Sequence, residues 1–411
     1  MRLVLLVLFS STAVAGLTAQ TTHLVGPSGL PQIRDALAIA NDGDQILVEP
    51  GTYAQFHVQR SVTIRALVEG AVHVAINGTY ATPRPIGSPA CGNDPACLAS
   101  TGHTVFELTG GRSAHVVGLD FVAGNLWPGL APPSIHSVVV LGGAATFEDC
   151  TFAGAATTAL AAHASRLHLM RCTARGANDP NAGIYQVARA LAAVHCDVLA
   201  VDCSFTGRNP GGTVLDTAEA ITLTGSSLHG SALQITGPLT GLSPQLSSAL
   251  VADAGSVVWL SDSTVTAAAA ACGIDAPGAT GHLARVTVTP SVGCPMPPTG
   301  PLLGTSLPQA LRTGGALTPS WTTEPFGFLA LRLNTVLQKR VIPGIVEQPY
   351  WAEDAALGFG FFLADGNGQA GASWAIPNDP WFVGQQVWLH AFTLTATFPW
   401  QVAPPVGGLI R

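Results

Sequence analysis

The sequence predicts an all-β chain: a coil of parallel strands that advances one turn per repeat, capped by a short helix and followed by an antiparallel β-sandwich. Three observations carry this. A motif with strand alternation recurs through the first two thirds of the chain at intervals of roughly 20–40 residues, the period of stacked units too small to bury their own faces. Charged residues make up only 10% of the 411 residues against 47% hydrophobic ones, with 46 Gly and 30 Pro, a texture of packed β structure and turns rather than of disorder. Beyond residue 301 the repeat stops, and longer alternating strands rich in tryptophan take over.

The repeat is clearest in FEDCTFAG (147–154) and returns as LMRCTARG (169–176), AVDCSFTG (200–207), LTGSSLHG (223–230), LSDSTVTA (260–267) and LARVTVTP (283–290), with GLDFVAG (118–124) as an earlier copy. Aligning the copies gives a turn column, Gly118, Asp149, Arg171, Asp202, Gly225, Asp262 and Arg285. Next comes a column of Leu119, Cys150, Cys172, Cys203, Ser226, Ser263 and Val286. A mostly hydroxyl column holds Asp120, Thr151, Thr173, Ser204, Ser227, Thr264 and Thr287, and an apolar one holds Phe121, Phe152, Ala174, Phe205, Leu228, Val265 and Val288. Period two means strand, with the apolar column inside and the hydroxyl column outside. The charged turn residues read as local turn chemistry, and the inward cysteines as a ladder of packed thiols. These rungs resemble the right-handed parallel β-helix of the pectate-lyase-like proteins over roughly residues 30–290. The resemblance implies a fold and no particular activity.

Taken in order, Met1–Ala19 reads as a secretory signal: Arg2, an apolar stretch from Leu3 to Phe9, then small residues at Ala13–Ala15 or Leu17–Ala19. The apolar run is too short to span a bilayer, and no later run is long enough, so the mature chain is expected to have no membrane span and to be secreted or held at the cell surface. Residues 20–294 are assigned to the β-helix. Leu30, Ile33, Ala36, Leu37 and Ala40 fall at helical spacing, with Pro31 at the start and Asn41-Asp42-Gly43 at the stop. The strand and turn GDQILVEPGTY (43–53) follow, and this order resembles the N-terminal cap of β-helix proteins such as pectin methylesterases. Residues 79–102 form a loop in which Cys91 and Cys97 are expected to pair. Cys272 and Cys294 are a second candidate pair, and Cys150, Cys172, Cys196 and Cys203 are left open. Trp127 and Tyr185 lie in or beside further insertions and are candidates for stacking on sugar rings. Residues 295–302, containing PMPPTGP, read as a Pro-rich linker. Residues 303–411 read as the β-sandwich, with a hairpin around Asp365-Gly366-Asn367-Gly368.

For function, the composition excludes nucleic acid as an expected partner. The net charge is −7, and Lys339 is the sole lysine, whereas phosphate contacts need clustered Lys and Arg. No cofactor and no metal is expected, since stacked cysteines do not converge on one ion. The signatures of pectin methylesterases, pectate lyases and polygalacturonases are not matched. One acid–base constellation stands: His163, Asp216, Asp253 and Asp275 lie at or just after the ends of the strands ALAA (159–162), TVLD (213–216), ALVA (249–252) and CGID (272–275). Carboxylates one or two rungs apart would span about 5–10 Å, a range used by glycosidases. The expected function is therefore binding of a polysaccharide or surface component without catalysis. The alternative is a glycan-cleaving hydrolase or lyase using the acidic strip, and a third reading makes the C-terminal module a sorting or attachment domain.

Overall fold

The computed structural model describes residues 20–75, 104–123, 136–154, 158–176, 189–207, 219–238, 248–269, 271–300, 302–335, 337, 339–342, 346–351, 359–394 and 400–411. The expected leader, Cys91, Cys97, Trp127, Tyr185 and Asp216 lie outside them. The chain divides into two compact units, Thr21–Gly300 and Pro301–Arg411.

The first unit is a coil of parallel strands laid down in three sheets. Sheet I has eight strands, from Phe56–Val58 to Ile274–Asp275. Sheet II has ten, from Thr22–Val25 to Thr280–Ala284, and sheet III nine, from Gly51–Ala54 to Thr287–Thr289. One turn visits them in that order, as in Leu160–His163, Arg166–Met170 and Thr173–Arg175. Alternation decides which side chains go inside. Phe147 pairs in register with Val116 and Leu169, and all three are fully buried. In sheet III, Phe152 pairs with Phe121 and Ala174, and the Phe121 and Phe152 rings stack at 5.7 Å. Burying each such side chain is worth about 1.5–3 kcal/mol, so a rung is held by its neighbours rather than by itself.

Both short corners of the coil use the same two-residue turn. Its first residue takes a positive φ and its second points inward. At the corner between sheets II and III the first residues are Gly118, Asp149, Arg171, Asp202, Ala232, Asp262 and Arg285, with φ between 49° and 73°. At the corner between sheets I and II they include Gly142, Ala164, His195 and Gly225. This corrects one row of the repeat. LTGSSLHG (223–230) belongs to the corner between sheets I and II, because Ser227 pairs with Asp197 in sheet II. The row that follows Asp202 is Ala232, Leu233, Gln234 and Ile235, with Gln234 paired to Ser204 and Thr264. Two corners with one conformation make near-identical motifs, and spacing alone cannot tell them apart.

The inward residues at the corners form ladders. Cys150, Cys172 and Cys203 are buried free thiols, and the Cys172 amide donates to Cys203 Sγ at 3.4 Å. In the other corner Cys196 N donates to Ser226 Oγ at 3.0 Å, and Ser226 N to Ser256 Oγ at 3.2 Å. Burial pushes the Cys150 and Cys172 thiols well above their ordinary range and Cys196 up to about 11, so these sulfurs are neutral packing groups.

The N-terminal end is closed by the helix Ile33–Ile39, which buries Ile33, Ala36 and Leu37. The other end is closed by the Pro-rich stretch. Pro295 O accepts from Ala276 N, Pro298 O from Leu283 N, and Gly300 N donates to Leu283 O. Met296 packs on the core, and Cys272 and Cys294 are joined by a disulfide. An uncapped solenoid would expose an apolar cross-section and an open strand edge. These residues act as a last partial rung before the chain leaves.

The second unit is a set of small antiparallel sheets, the largest of four strands, around fully buried Trp321 and Trp388. Asp365 Oδ1 accepts from Asn367 N and Gln369 N, making the tight turn expected there. The flanking strands do not pair with each other as a hairpin. Phe359–Leu363 pairs with Phe328–Asn334, and Gln369–Gly371 pairs with Ser320–Thr322. The turn is a crossing between sheets.

Candidate functional site

The three outward faces of the coil differ in what they leave open. On sheet II the outward residues His115, His168, His229, Met170 and Val201 are buried. On sheet I the outward Val139 and Ala161 are buried as a separate apolar cluster. Sheet III is the wet face. One outward column runs Thr52, His73, Asp120, Thr151, Thr173, Ser204, Gln234, Thr264 and Thr287 on successive strands. Two residues along lies a second column of Ala153, Arg175, Thr206, Thr236, Thr266 and Thr289. Gln234, Thr264, Thr287 and Thr289 are exposed, and the other hydroxyl residues from Thr151 on are partly so. No hydrogen bond among the described residues engages the hydroxyl or amide side chains from Thr151 onward.

The spacing of this face follows from strand geometry. Neighbouring strands lie about 4.8 Å apart and alternate residues about 6.7 Å apart. The face is therefore a regular grid of donors and acceptors, about 34 Å long from the strand Val72–Ala75 to Thr287–Thr289. The inward residues hold it flat: Phe152, Phe205, Ile235 and Val265 beneath it are buried to within 1%. Each hydroxyl is both a donor and an acceptor, which suits a partner rich in hydroxyls.

The acid–base candidates fall elsewhere. In sheet I, Val251 pairs with Asp275 and Thr222, whereas Asp253 lies two residues beyond Val251, in the corner. The sheet I strand preceding Leu250–Ala252 is Ile221–Thr224 rather than TVLD, so it is Thr222 and Thr224 that stand on that rung. Asp253 accepts from Gly225 N at 2.9 Å and from Ser256 Oγ at 2.6 Å. Slight burial pushes its carboxyl up, but the bonds from Ser256, Gly225 and Gly255 and the nearby His195 outweigh this and hold it below the usual range. A carboxylate so engaged is fixed in the ionised form, the opposite of a general acid. His163 sits instead against His195, ring centroids 6.0 Å apart, on the same corner. His195 links the neighbourhoods of His163 and Asp253, and the repeat alignment gave no signal for it because it occupies a turn position filled by Gly or Ala in other rungs.

The charged turn column does pair across rungs. Arg171 forks onto Asp149 at 2.8 and 3.0 Å and reaches the fully buried Glu148, whose other oxygen meets His115. Burial works against the Arg171 charge, but the Asp149 bonds and the Asp149 and Glu148 charges outweigh it and hold its pKa above the ordinary value. Arg285 forks onto Asp262 in the same way at 2.6 and 3.0 Å. Turn chemistry and inter-rung pairing thus coexist at these positions. His168, beside this cluster, is pushed down to about 3 by burial and by the charges of His115 and Arg171. His229 is pushed down to about 3 by burial alone. Among the described residues no cluster of His, Cys, Asp and Glu has the form of a metal site.

Three stacked parallel sheets with one strand of each per turn leave one architecture. The chain is a parallel β-helix protein. Solved structures of the same architecture are similar to it at low identity. Full-length tailspike protein 2 of an Escherichia coli O157:H7 bacteriophage is 10% identical, with a TM-score of 0.41 over 92% of this chain and 61% of the tailspike. An alginate lyase of the PL6 family is 11% identical, with a TM-score of 0.30 over 70% of this chain and 41% of the lyase. The A-module of a mannuronan C-5 epimerase from Azotobacter vinelandii is 9% identical, with a TM-score of 0.27 over 65% of this chain and 92% of the module. The β-helix chain thus spans about three fifths of the tailspike's length. Likeness of this degree concerns the fold. No family model and no curated protein matches the sequence. No helix among the described residues is long and apolar enough to cross a membrane.

Proposed function

We propose that this β-helix is an exported protein that holds a polysaccharide, or a surface component of similar chemistry, along the outward face of sheet III and leaves its glycosidic bonds intact. The observation that carries the reading is the grid itself: hydroxyl and amide side chains at strand spacing, partly or fully open to solvent, and from Thr151 onward engaged in no side-chain hydrogen bond among the described residues. A glycosidase needs one carboxylic acid held protonated and one carboxylate ionised across the scissile bond. The carboxylate of Asp253 is committed to its own turn, and Asp275 stands on a different column. Export is read from the leader at Met1–Ala19. That tailspikes, a lyase and an epimerase of polysaccharides share the architecture is in keeping with a glycan partner.

The test is a polysaccharide array probed with the mature chain and scored for retention and for new reducing ends or unsaturated sugars. Retention without cleavage is the expected result. Cleavage by the wild type that is lost in Asp253→Asn or Asp275→Asn would replace this reading with the enzymatic one.

A further inference from the structure

The neutral column of sheet III is interrupted once by an acid–base pair. Thr52, His73, Asp120 and Thr151 stand on four successive strands, pointing the same way. His73 Nδ1 lies 3.2 Å from Asp120 Oδ2. With the carboxylate accepting from Nδ1–H, the lone pair is on Nε2. The imidazole is 47% exposed and the carboxylate 22%, so the base is the more open member of the pair. An exposed pair of this kind adds only about 0–1 kcal/mol to stability, and the strands it joins are already paired through their backbones.

We propose that His73, positioned by Asp120, is a general base that hydrolyses O-acyl esters carried by sugar hydroxyls of a polysaccharide on this face. His73 Nε2 takes a proton from water as the water oxygen bonds to the ester carbonyl carbon. The tetrahedral oxyanion then collapses, the bond from that carbon to the sugar oxygen breaks, and the imidazolium returns its proton to the departing sugar oxygen. The products are a free sugar hydroxyl and a carboxylic acid, with no oxidant or cofactor needed. Thr52, on the strand next to His73 and about 4.8 Å away, is the hydroxyl donor placed to meet the oxyanion. The pair suits an ester rather than a glycosidic bond. Along the whole column Asp120 is the one carboxylate, and cleaving a glycoside takes two, about 5–9.5 Å apart. An acyl group also projects from the chain, so a base on a flat face reaches it without a cleft.

The polymer part of this proposal rests on the binding reading above, and a small soluble ester does not. The full mature chain is therefore assayed on p-nitrophenyl acetate and on acetylated xylan, with xylan retention measured in parallel. The expected result is acetate release from both. His73→Gln lowers that release about 100-fold or more and removes the ascending limb of the pH–rate profile. Asp120→Asn lowers it by a smaller factor. Absence of release from both esters by the wild type overturns the proposal, as does release that His73→Gln leaves intact. His73-dependent release from the small ester without xylan retention supports the pair and rejects xylan as the polymer this face holds, whereas such release with no retention of any polysaccharide on the array rejects the binding reading.

Discussion

Arg171 and Arg285 offer a controlled comparison, because they share a turn position, a φ of 53° or 54° and a forked bond to the aspartate one rung before. They differ in burial. The Arg171 side chain is 7% exposed, with a fully buried Glu148 as second partner, whereas Arg285 is 35% exposed over an Asp262 that is 24% exposed. Replacing Arg171 with Met strips a buried carboxylate cluster of its cation, and breaking a buried pair from one side costs about 3–5 kcal/mol. The same change at Arg285 breaks a screened surface pair worth about 0–1 kcal/mol. Neither change alters the φ penalty, since neither residue is glycine. For a unit spanning Thr21–Gly300, at about 2.1 cal/mol/K per residue, about 3 kcal/mol corresponds to a midpoint shift of roughly 5 °C. Thermal unfolding of the full chain followed by circular dichroism should therefore drop by that much for Arg171→Met and by no more than about 2 °C for Arg285→Met. Equal shifts would refute the argument that burial, rather than pairing geometry, sets the value of these ladders.

Three further outcomes follow from the same geometry. His168 and His229 are held near 3 in the folded chain but titrate near 6.5 when unfolded. The unfolded state alone takes up protons between those values, so stability is full above about pH 6.5 and falls as pH drops toward 3. The unfolding midpoint should decline through that window, and His229→Leu should flatten the decline; an unchanged slope would count against a buried neutral His229. Cys150, Cys172 and Cys203 should resist alkylation in the native chain and react fully in denaturant, and rapid native labelling would contradict the buried ladder. Residues 303–411, expressed alone, should be soluble and β-rich, because the contacts divide the chain at Gly300; a disordered spectrum would show that this unit needs the solenoid.

The fold was legible because stacking repeats the same demand on every rung. Phe121, Phe152 and Phe205 face inward and Thr151, Thr173 and Ser204 outward wherever the strand occurs, so alternation and period sufficed. What alignment could not resolve was which corner a copy belonged to. Gly225-Ser226 and Ala232-Leu233 satisfy the same turn at different corners, and only the pairing of Ser227 with Asp197 separates them. The same slip put TVLD on a rung whose sheet I strand is Ile221–Thr224. The Pro-rich stretch looked like a tether because proline cannot donate to a ladder, yet Pro295 and Pro298 serve as acceptors at the end of one. The wet face was half visible. Its hydroxyl column was readable from period two, but its openness, against the burial of the outward residues on sheet II, was not, because burial of an outward side chain depends on groups distant in sequence. His73 and Asp120 belong to different repeats separated by a long insertion, and their meeting depends on register that no local pattern reports.

The most direct measurement of the central claim is retention of the array-selected polysaccharide by chains altered on one face at a time. Thr264→Arg with Thr287→Arg places two bulky charges on the exposed end of sheet III without touching the core beneath. Ser113→Arg with Thr280→Arg does the same at exposed positions of sheet II. The account predicts that the sheet III pair lowers affinity about tenfold or more, equivalent to about 1.4 kcal/mol, while the sheet II pair binds like the wild type. Equal affinity of both pairs and the wild type, or loss confined to the sheet II pair, would contradict it.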